Sequence, residues 1–214
     1  MPSKLALRLV PPGSIGPYNL GMKSAPLHPR EAERLAALER LQIMDSPAEK
    51  DFDDITLIAS QICDTPIALV SLVDQSRQWF KSKKGLTAEQ TPRDLAFCAH
   101  AILGSEPLVV PDASDDERFA DNPLVTGGPK VVFYAGAPLL SPDGLPIGTL
   151  CVIDTKPRNL SEAQISALRA LSTHISRLLE LRVLLDQQKE HAKQLELKKT
   201  AIENLSEGVV LQGT

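Results

Sequence analysis

VVFYAGAPLLSPDGLPIGTLCVID, residues 131–154, sets two apolar runs on either side of a Pro-Asp-Gly turn. β-Branched and aromatic residues fill both runs, and the pattern predicts a β-hairpin. Pro142 fixes the backbone for the first central turn position, and Gly144 is placed to take the positive φ that closes a bulged loop. Neither run alternates cleanly between apolar and polar. One face would carry Val131, Phe133, Ala135, Ala137 and Leu139, the other Val132, Tyr134, Pro138 and Leu140. Strands that are apolar on both sides belong in the middle of a sheet covered on both faces. Gly136 and Gly148 leave room for a close neighbour, either a backbone or a ligand.

Upstream, residues 67–74 (IALVSLVD) predict another central strand, paired across Asp74-Gln75-Ser76 with 77–83. There Trp79 and Phe80 point to opposite faces, and Lys81 and Lys83 on Trp79's side read as lysines guarding a sheet edge. Residues 106–112 predict a short strand. Before these come two helices. The first starts near Pro29, carries Leu35, Leu38 and Leu41, and stops at Asp45-Ser46-Pro47. The second, over 49–63, aligns Phe52, Ile55, Ile58, Ala59 and Ile62 in one stripe. The acidic residues at 112–116 predict caps for a short helix containing Arg118 and Phe119. Phe119, Asn122, Leu124 and Val125 are lid candidates on the loop that follows.

The sequence Gly148-Thr149-Leu150-Cys151-Val152-Ile153-Asp154, then Pro157-Arg158 and a long amphipathic helix, resembles the closing half of a GAF domain. The likeness extends upstream through RDLAFCAHAIL (93–103) and IALVSLVD, over residues 30–182. It implies an α/β (α+β) fold with a central antiparallel sheet of about six strands, helices on one face, loops and short helices on the other, and a long C-terminal helix. It also implies a non-catalytic sensor of a small molecule or chromophore in a bacterial signal-transduction protein. The segments enclosing that family's ligand hold Trp79, Phe80, Phe97, Phe119, Phe133 and Tyr134, and with Cys98, His100 and Asn122 these are the candidate ligand-binding residues. No cofactor is identified. Bilin-binding relatives anchor their chromophore through a Cys followed directly by His, or through a Cys in an N-terminal extension. Ala99 separates Cys98 from His100 here and residues 1–29 hold no cysteine, which argues against covalent attachment.

On a helix, Cys98 and His100 stand about 200° apart. No further ligands stand near them at metal-binding spacing, so no metal is expected. Cys98 reads as a small packed hydrophobe, and His100 as a partner for a neighbouring loop. One enzyme branch of the family reduces free methionine sulfoxide with cysteines, and Cys63, Cys98 and Cys151 supply that alternative; a ligand-free dimerisation scaffold is another. Reactive thiols need partial exposure and a positive setting, which only Cys98, with Arg93 in the preceding turn, approaches. GxxxxGK[ST], GxGxxG and GxSxG motifs are absent.

The 214 residues carry a net charge of −4, which gives no electrostatic argument for nucleic acid or an anionic membrane. No apolar run reaches the ~20 residues a membrane helix needs, and the N-terminus lacks the apolar core of a signal peptide. Three cysteines, without a CxxC pair, fit a reduced cytoplasmic protein. Residues 1–29, rich in proline, predict a disordered or extended tail.

From Ser161 the chain predicts one long helix, with Ser161 and Gln164 as a capping box. Heptads run through Leu171, Leu178, Leu185, Ala192 and Lys199, beside His174, Leu181, Gln188, Leu195 and Ile202. Leu171, Leu178, Leu181, Leu185 and Leu195 are therefore the expected interface of a parallel homodimer, weakened by Gln188 and Lys199; a single solvent-exposed helix that frays after Leu185 is the competing reading. Residues 183–204 form its signalling coiled coil. Residues 205–214 resemble the entry to a PAS domain, so the expectation is the front end of a longer protein, with a histidine kinase or diguanylate cyclase as its output.

Overall fold

The computed structural model describes residues 23–210, with side chains to residue 200. Its strands are β1 (Ile67–Val73), β2 (Arg77–Lys84), β3 (Gln90–Pro92), β4 (Leu108–Val110), β5 (Phe133–Leu140) and β6 (Pro146–Asp154). They form one antiparallel sheet in the order β3-β2-β1-β6-β5-β4. The helices are α1 (Glu31–Arg40), α2 (Lys50–Ile62), α3 (Phe97–Ala101), α4 (Pro123–Thr126) and α5 (Glu162–Val210), with a 3₁₀ turn at Arg93–Leu95. Helices α1, α2 and α5 cover one face; α3, α4 and the surrounding loops cover the other. This is the expected architecture. Among the described residues no helix is long and apolar enough to cross a membrane.

The β5–β6 hairpin closes as its turn chemistry requires. Gly144 N–H donates to Ser141 O at 2.8 Å, Ser141 N–H to Leu145 O at 2.9 Å, and Gly144 takes φ +74°. Alternation along β5 sends Phe133, Ala135, Ala137 and Leu139 to the helix layer and Tyr134 to the loop layer. Val131 joins Tyr134's side because it precedes the strand, where the period of two does not apply. Gly148 resolves to a close backbone: a Cβ there would lie 2.0 Å from Ser71 O.

Three local expectations change. β2 is not the outermost strand, since the short β3 pairs with Arg77–Trp79, and beyond that pairing Lys83 Nζ donates to Thr87 O and Ala88 O of the next loop. The register passes from Val70↔Ser82 to Ser71↔Phe80, leaving Lys81 as the extra residue of a bulge. Its buried Nζ donates to Ser46 Oγ (2.8 Å), Pro47 O (2.5 Å) and Glu49 Oε1 (2.6 Å). Along α2, Phe52, Ile55 and Ala59 are buried, but Ile58 and Ile62 stay 41% and 40% exposed. Thr56 and Ser60 complete the buried face instead, their hydroxyls donating to Phe52 O and Thr65 O, which makes hydroxyl burial tolerable. Finally, Asp112 and Asp116 accept from the backbone N–H two residues on. They form Asx turns, not a helix around Arg118 and Phe119, and the short helix lies at α4, capped by Asn122.

α5 begins with the expected reciprocal cap between Ser161 and Gln164. Leu168, Ile175 and Leu179 are buried in the helix-side core, and Leu171 and Leu178 pack partly against it. Leu181, Leu185 and Leu195 are exposed. The helix runs to Val210, past Asn204 where the expected signalling helix ended; helical backbone satisfies its hydrogen bonds within the segment, whereas a strand needs a partner. Residues 23–29 lack regular structure, while the expectations for 1–22 and 211–214 lie outside the described residues.

α1 is locked to the sheet by a buried ion cluster. Arg34 donates to Val73 O (2.6 Å) and to Glu31 (2.7 and 2.9 Å), while Arg93 donates to Glu31 (2.6 Å) and Asp74 O (2.9 Å). Burial alone would raise the Glu31 carboxyl, but the Arg34 and Arg93 guanidiniums override it and lower the carboxyl from 4.5 to about 2. Its contribution is complete above the unfolded value and is lost as pH falls through the folded one. Urea midpoints should therefore drop between pH 4.5 and about 2, and Glu31→Gln should show a smaller drop over that window. An identical pH slope in wild type and variant would contradict this role.

Candidate functional site

The loop face of the sheet carries Leu69 from β1, Gln78 and Phe80 from β2, Tyr134 from β5, and Cys151 and Ile153 from β6. The 3₁₀ turn stops at Ala96, whose extended backbone (ψ 120°) redirects the chain into α3. That step lowers Phe97 and Cys98 onto the sheet. Phe97 stacks on Phe119 with centroids 4.1 Å apart and tilts against Tyr134 at 5.2 Å.

Beneath this lid lies a cavity of about 40 Å³, walled by Leu69, Phe80, Phe97, Cys98, Leu124, Pro129, Val131 and Tyr134 among others. Gln78 and Thr91 complete its wall, and the buried Gln78 Oε1 and Thr91 Oγ1 have no hydrogen-bond partner among the described residues. A water needs roughly 10–15 Å³ of such space, and small-molecule pockets run to about 300 Å³ or more. The cavity as it stands therefore holds only a few atoms. Anything larger than a few atoms must displace the loops around Leu124 and Pro129.

One edge of the cavity is a buried sulfur and hydroxyl cluster. Cys98 Sγ accepts from Thr149 Oγ1 at 3.0 Å and from Tyr134 OH at 3.3 Å, and Cys151 Sγ lies 3.8 Å away. Ser71 Oγ lies 3.2 Å from Thr149 Oγ1. Burial by itself raises the Cys98 thiol, yet hydrogen bonds from Cys151, Ser71, Thr149 and Tyr134 outweigh it and bring it down to about 7. Cys151 is pushed well above its ordinary value by its bond to Cys98 and by burial. Burial, followed by the adjacent Cys98 and Cys151 sulfurs, raises the Tyr134 phenol. Gly136 admits that phenol, since a Cβ there would lie 2.1 Å from Tyr134 OH.

The predicted site residues divide by face. Phe80, Phe97, Cys98 and Tyr134 line the cavity. Phe119 stacks behind Phe97, and His100 meets Phe119 edge-on at 4.8 Å, its pKa lowered by burial and by Arg118. Asn122 braces the lid, with Nδ2 donating to Leu95 O at 3.0 Å. Trp79 and Phe133 pack in the opposite, helix-side core, because each is one residue from a neighbour that faces the cavity. Cys98 is buried as expected, but as a hydrogen-bond acceptor and not as an inert hydrophobe. Sequence reading missed Gln78, Thr91 and Thr149. Gln78 lies two residues from Phe80 and hence on its face, and Thr149 is a polar residue inside an apolar strand. Among the described residues no group of three or more His, Cys, Asp or Glu could hold a metal ion.

Residues 47–179 match the GAF domain family. The chain is 43% identical over 163 residues to the cyclic di-GMP phosphodiesterase PA2567 of Pseudomonas aeruginosa, a match covering 76% of this chain and 27% of that protein's length. Similar folds occur in the GAF domain of an Acinetobacter phosphoenolpyruvate-protein phosphotransferase (TM-score 0.53, 20% identity, 72% of this chain and 98% of that one). Another is the PixJ GAF domain of Thermosynechococcus elongatus in its blue-light absorbing form (TM-score 0.52, 15% identity, 75% and 96% coverage).

The place given to Tyr134 by Gly136 can be tested directly. In Gly136→Ala the new methyl must expel the phenol and break its bond to Cys98. The thiolate absorbance of Cys98, followed against pH in a Cys63→Ala background, should then titrate at higher pH than in the parent. An unchanged titration would show that Tyr134 does not hold the Cys98 sulfur.

Proposed function

This chain belongs to the GAF domain family, and we propose that residues 30–182 act as a non-catalytic, cytoplasmic sensory module. Its input would be a small molecule held between the sheet and the α3–α4 layer. The observation that carries this reading is the pair of buried, unpartnered atoms Gln78 Oε1 and Thr91 Oγ1 on the wall of an otherwise apolar cavity. A buried polar group left unpaired costs about 1–3 kcal/mol. A ligand with hydrogen-bond donors recovers that energy, while its apolar body takes the place of the lid around Phe97.

The output would travel along the β5–β6 hairpin into α5. Leu140 N–H, near the end of β5, donates to Ser176 Oγ of α5 at 3.0 Å, so a shift of the strand is felt by the helix. Beyond the core, exposed Leu181, Leu185 and Leu195 suit a parallel pairing of two chains, which Gln188, Ala192 and Lys199 keep adjustable. Residues 205–214 would lead into a PAS-like module. The Pseudomonas relative makes an enzyme of cyclic di-GMP turnover a reasonable final output.

Native mass spectrometry of freshly purified chain should show a bound small molecule that is released on denaturation. Gln78→Leu should weaken its binding about tenfold, the loss of one buried hydrogen bond. Absence of any bound species, together with no thermal shift from a metabolite library, would favour the ligand-free scaffold.

Association is a separate test. Leu168, Ile175 and Leu179 belong to the core, so a truncation must spare them. Light scattering should give a dimer for residues 1–214 and a monomer for 1–183, with Leu181→Glu/Leu185→Glu also monomeric. A monomeric full chain at tens of micromolar would overturn the pairing.

A further inference from the structure

Cys98 is the second residue of α3 and Cys151 lies in the central strand β6, yet their sulfurs face each other 3.8 Å apart in the core. We propose that Cys98 and Cys151 are a peroxide-reactive thiol pair that closes to a disulfide, a modification site distinct from any non-covalent ligand. A disulfide needs about 2.05 Å between sulfurs, so α3 must approach β6 by about 1.8 Å. α3 is five residues long and is packed by rings that can slide, which makes that approach feasible.

The surroundings supply the chemistry. Thr149 Oγ1 and Tyr134 OH both donate to Cys98 Sγ, stabilising negative charge on that buried sulfur. Hydrogen bonds with Cys151, Ser71, Thr149 and Tyr134 lower the Cys98 thiol despite burial, while its bond to Cys98 and burial raise that of Cys151. Access comes through the cavity that Cys98 borders, whose volume of about 40 Å³ suits hydrogen peroxide and excludes bulky oxidants. Cys63 provides an internal contrast: burial raises its thiol, and it does not line the cavity that Cys98 borders.

In the first step the Cys98 thiolate attacks one peroxide oxygen, the O–O bond breaks, and the departing hydroxide takes up a proton as water. Cys98 is now a sulfenic acid. Next the Cys151 sulfur attacks Cys98 Sγ, displacing the hydroxyl, which leaves as water with the Cys151 proton. The two thiols lose two electrons in all and the peroxide gains them. This reaction is independent of the ligand reading, because it needs only the cavity and the sulfurs.

The test is peptide mass spectrometry of the full chain without reductant. Hydrogen peroxide should produce a Cys98–Cys151 cross-linked peptide and leave Cys63 free, and tert-butyl hydroperoxide should do so at least about tenfold more slowly, since it exceeds the cavity. In Cys151→Ala, dimedone should trap the sulfenic acid on Cys98. Folding is checked by circular dichroism, and if that variant does not fold the wild-type cross-link and its size selectivity decide alone. A natively folded wild type whose Cys98 and Cys151 stay free while Cys63 oxidises would overturn the proposal. So would a cross-link that forms only in denaturant, or one formed equally fast by both peroxides.

Discussion

The structure depends on how closely β6 approaches β1. At Gly148 the backbones meet with no space for a side chain, since a Cβ would lie 2.0 Å from Ser71 O and 2.9 Å from Leu72 Cα. That contact sits in the middle of the sheet, in the run of pairs from Ile67↔Ile153 to Leu72↔Gly148. Once the register is set there, the period of two along each strand assigns every later side chain to one layer or the other. Leu150 and Val152 go to the helices, Cys151 to the loops. A slip of one residue would exchange them.

The two layers differ in kind. The helix layer is apolar and broad, built from Leu38, Phe52, Ile55, Leu168, Ile175 and Leu179 over the sheet. Its buried charges, Arg34 and Lys81, end on carbonyls and carboxylates. The loop layer is thinner and holds the polar exceptions: the Cys98 cluster, and Gln78 and Thr91 with unsatisfied oxygens. Buried polar atoms without partners cost stability; of the four such atoms among the described residues, Gln78 Oε1 and Thr91 Oγ1 lie on the wall of the loop-side cavity, while Arg182 Nε belongs to α5 on the helix side. Short helices, Asx turns and stacked rings hold the loop layer together, and each can give way without opening the sheet.

Much of this was legible in the chain. The Pro-Asp-Gly turn, the doubly apolar strands and the Ser161–Gln164 cap have local causes, and each formed as its residues dictate. What escaped reading depends on partners far away in sequence. Phe133 and Tyr134 look alike in composition, and only the register decides which of them reaches the cavity. Lys81 resembles an edge guard until the bulge opposite Val70 and Ser71 turns it toward Glu49. Thr56 and Ser60 belong to the core only because Phe52 O and Thr65 O accept their hydroxyls. The meeting of Cys98 with Cys151, 53 residues apart in sequence, has no local signal at all.

The sheet separates a broad, apolar helix layer from a thinner loop layer, which the proposed sensing requires to open on its own. Amide hydrogen exchange on the full chain tests that division directly, because local and global opening differ in free energy. Protected amides of the lid, such as Ile102, Val125 and Val131, should exchange at least about a hundredfold faster than those of the β1–β6 ladder, a gap of ~2.7 kcal/mol. Equal protection across both layers would mean that the lid opens only when the whole domain unfolds, and would contradict the account.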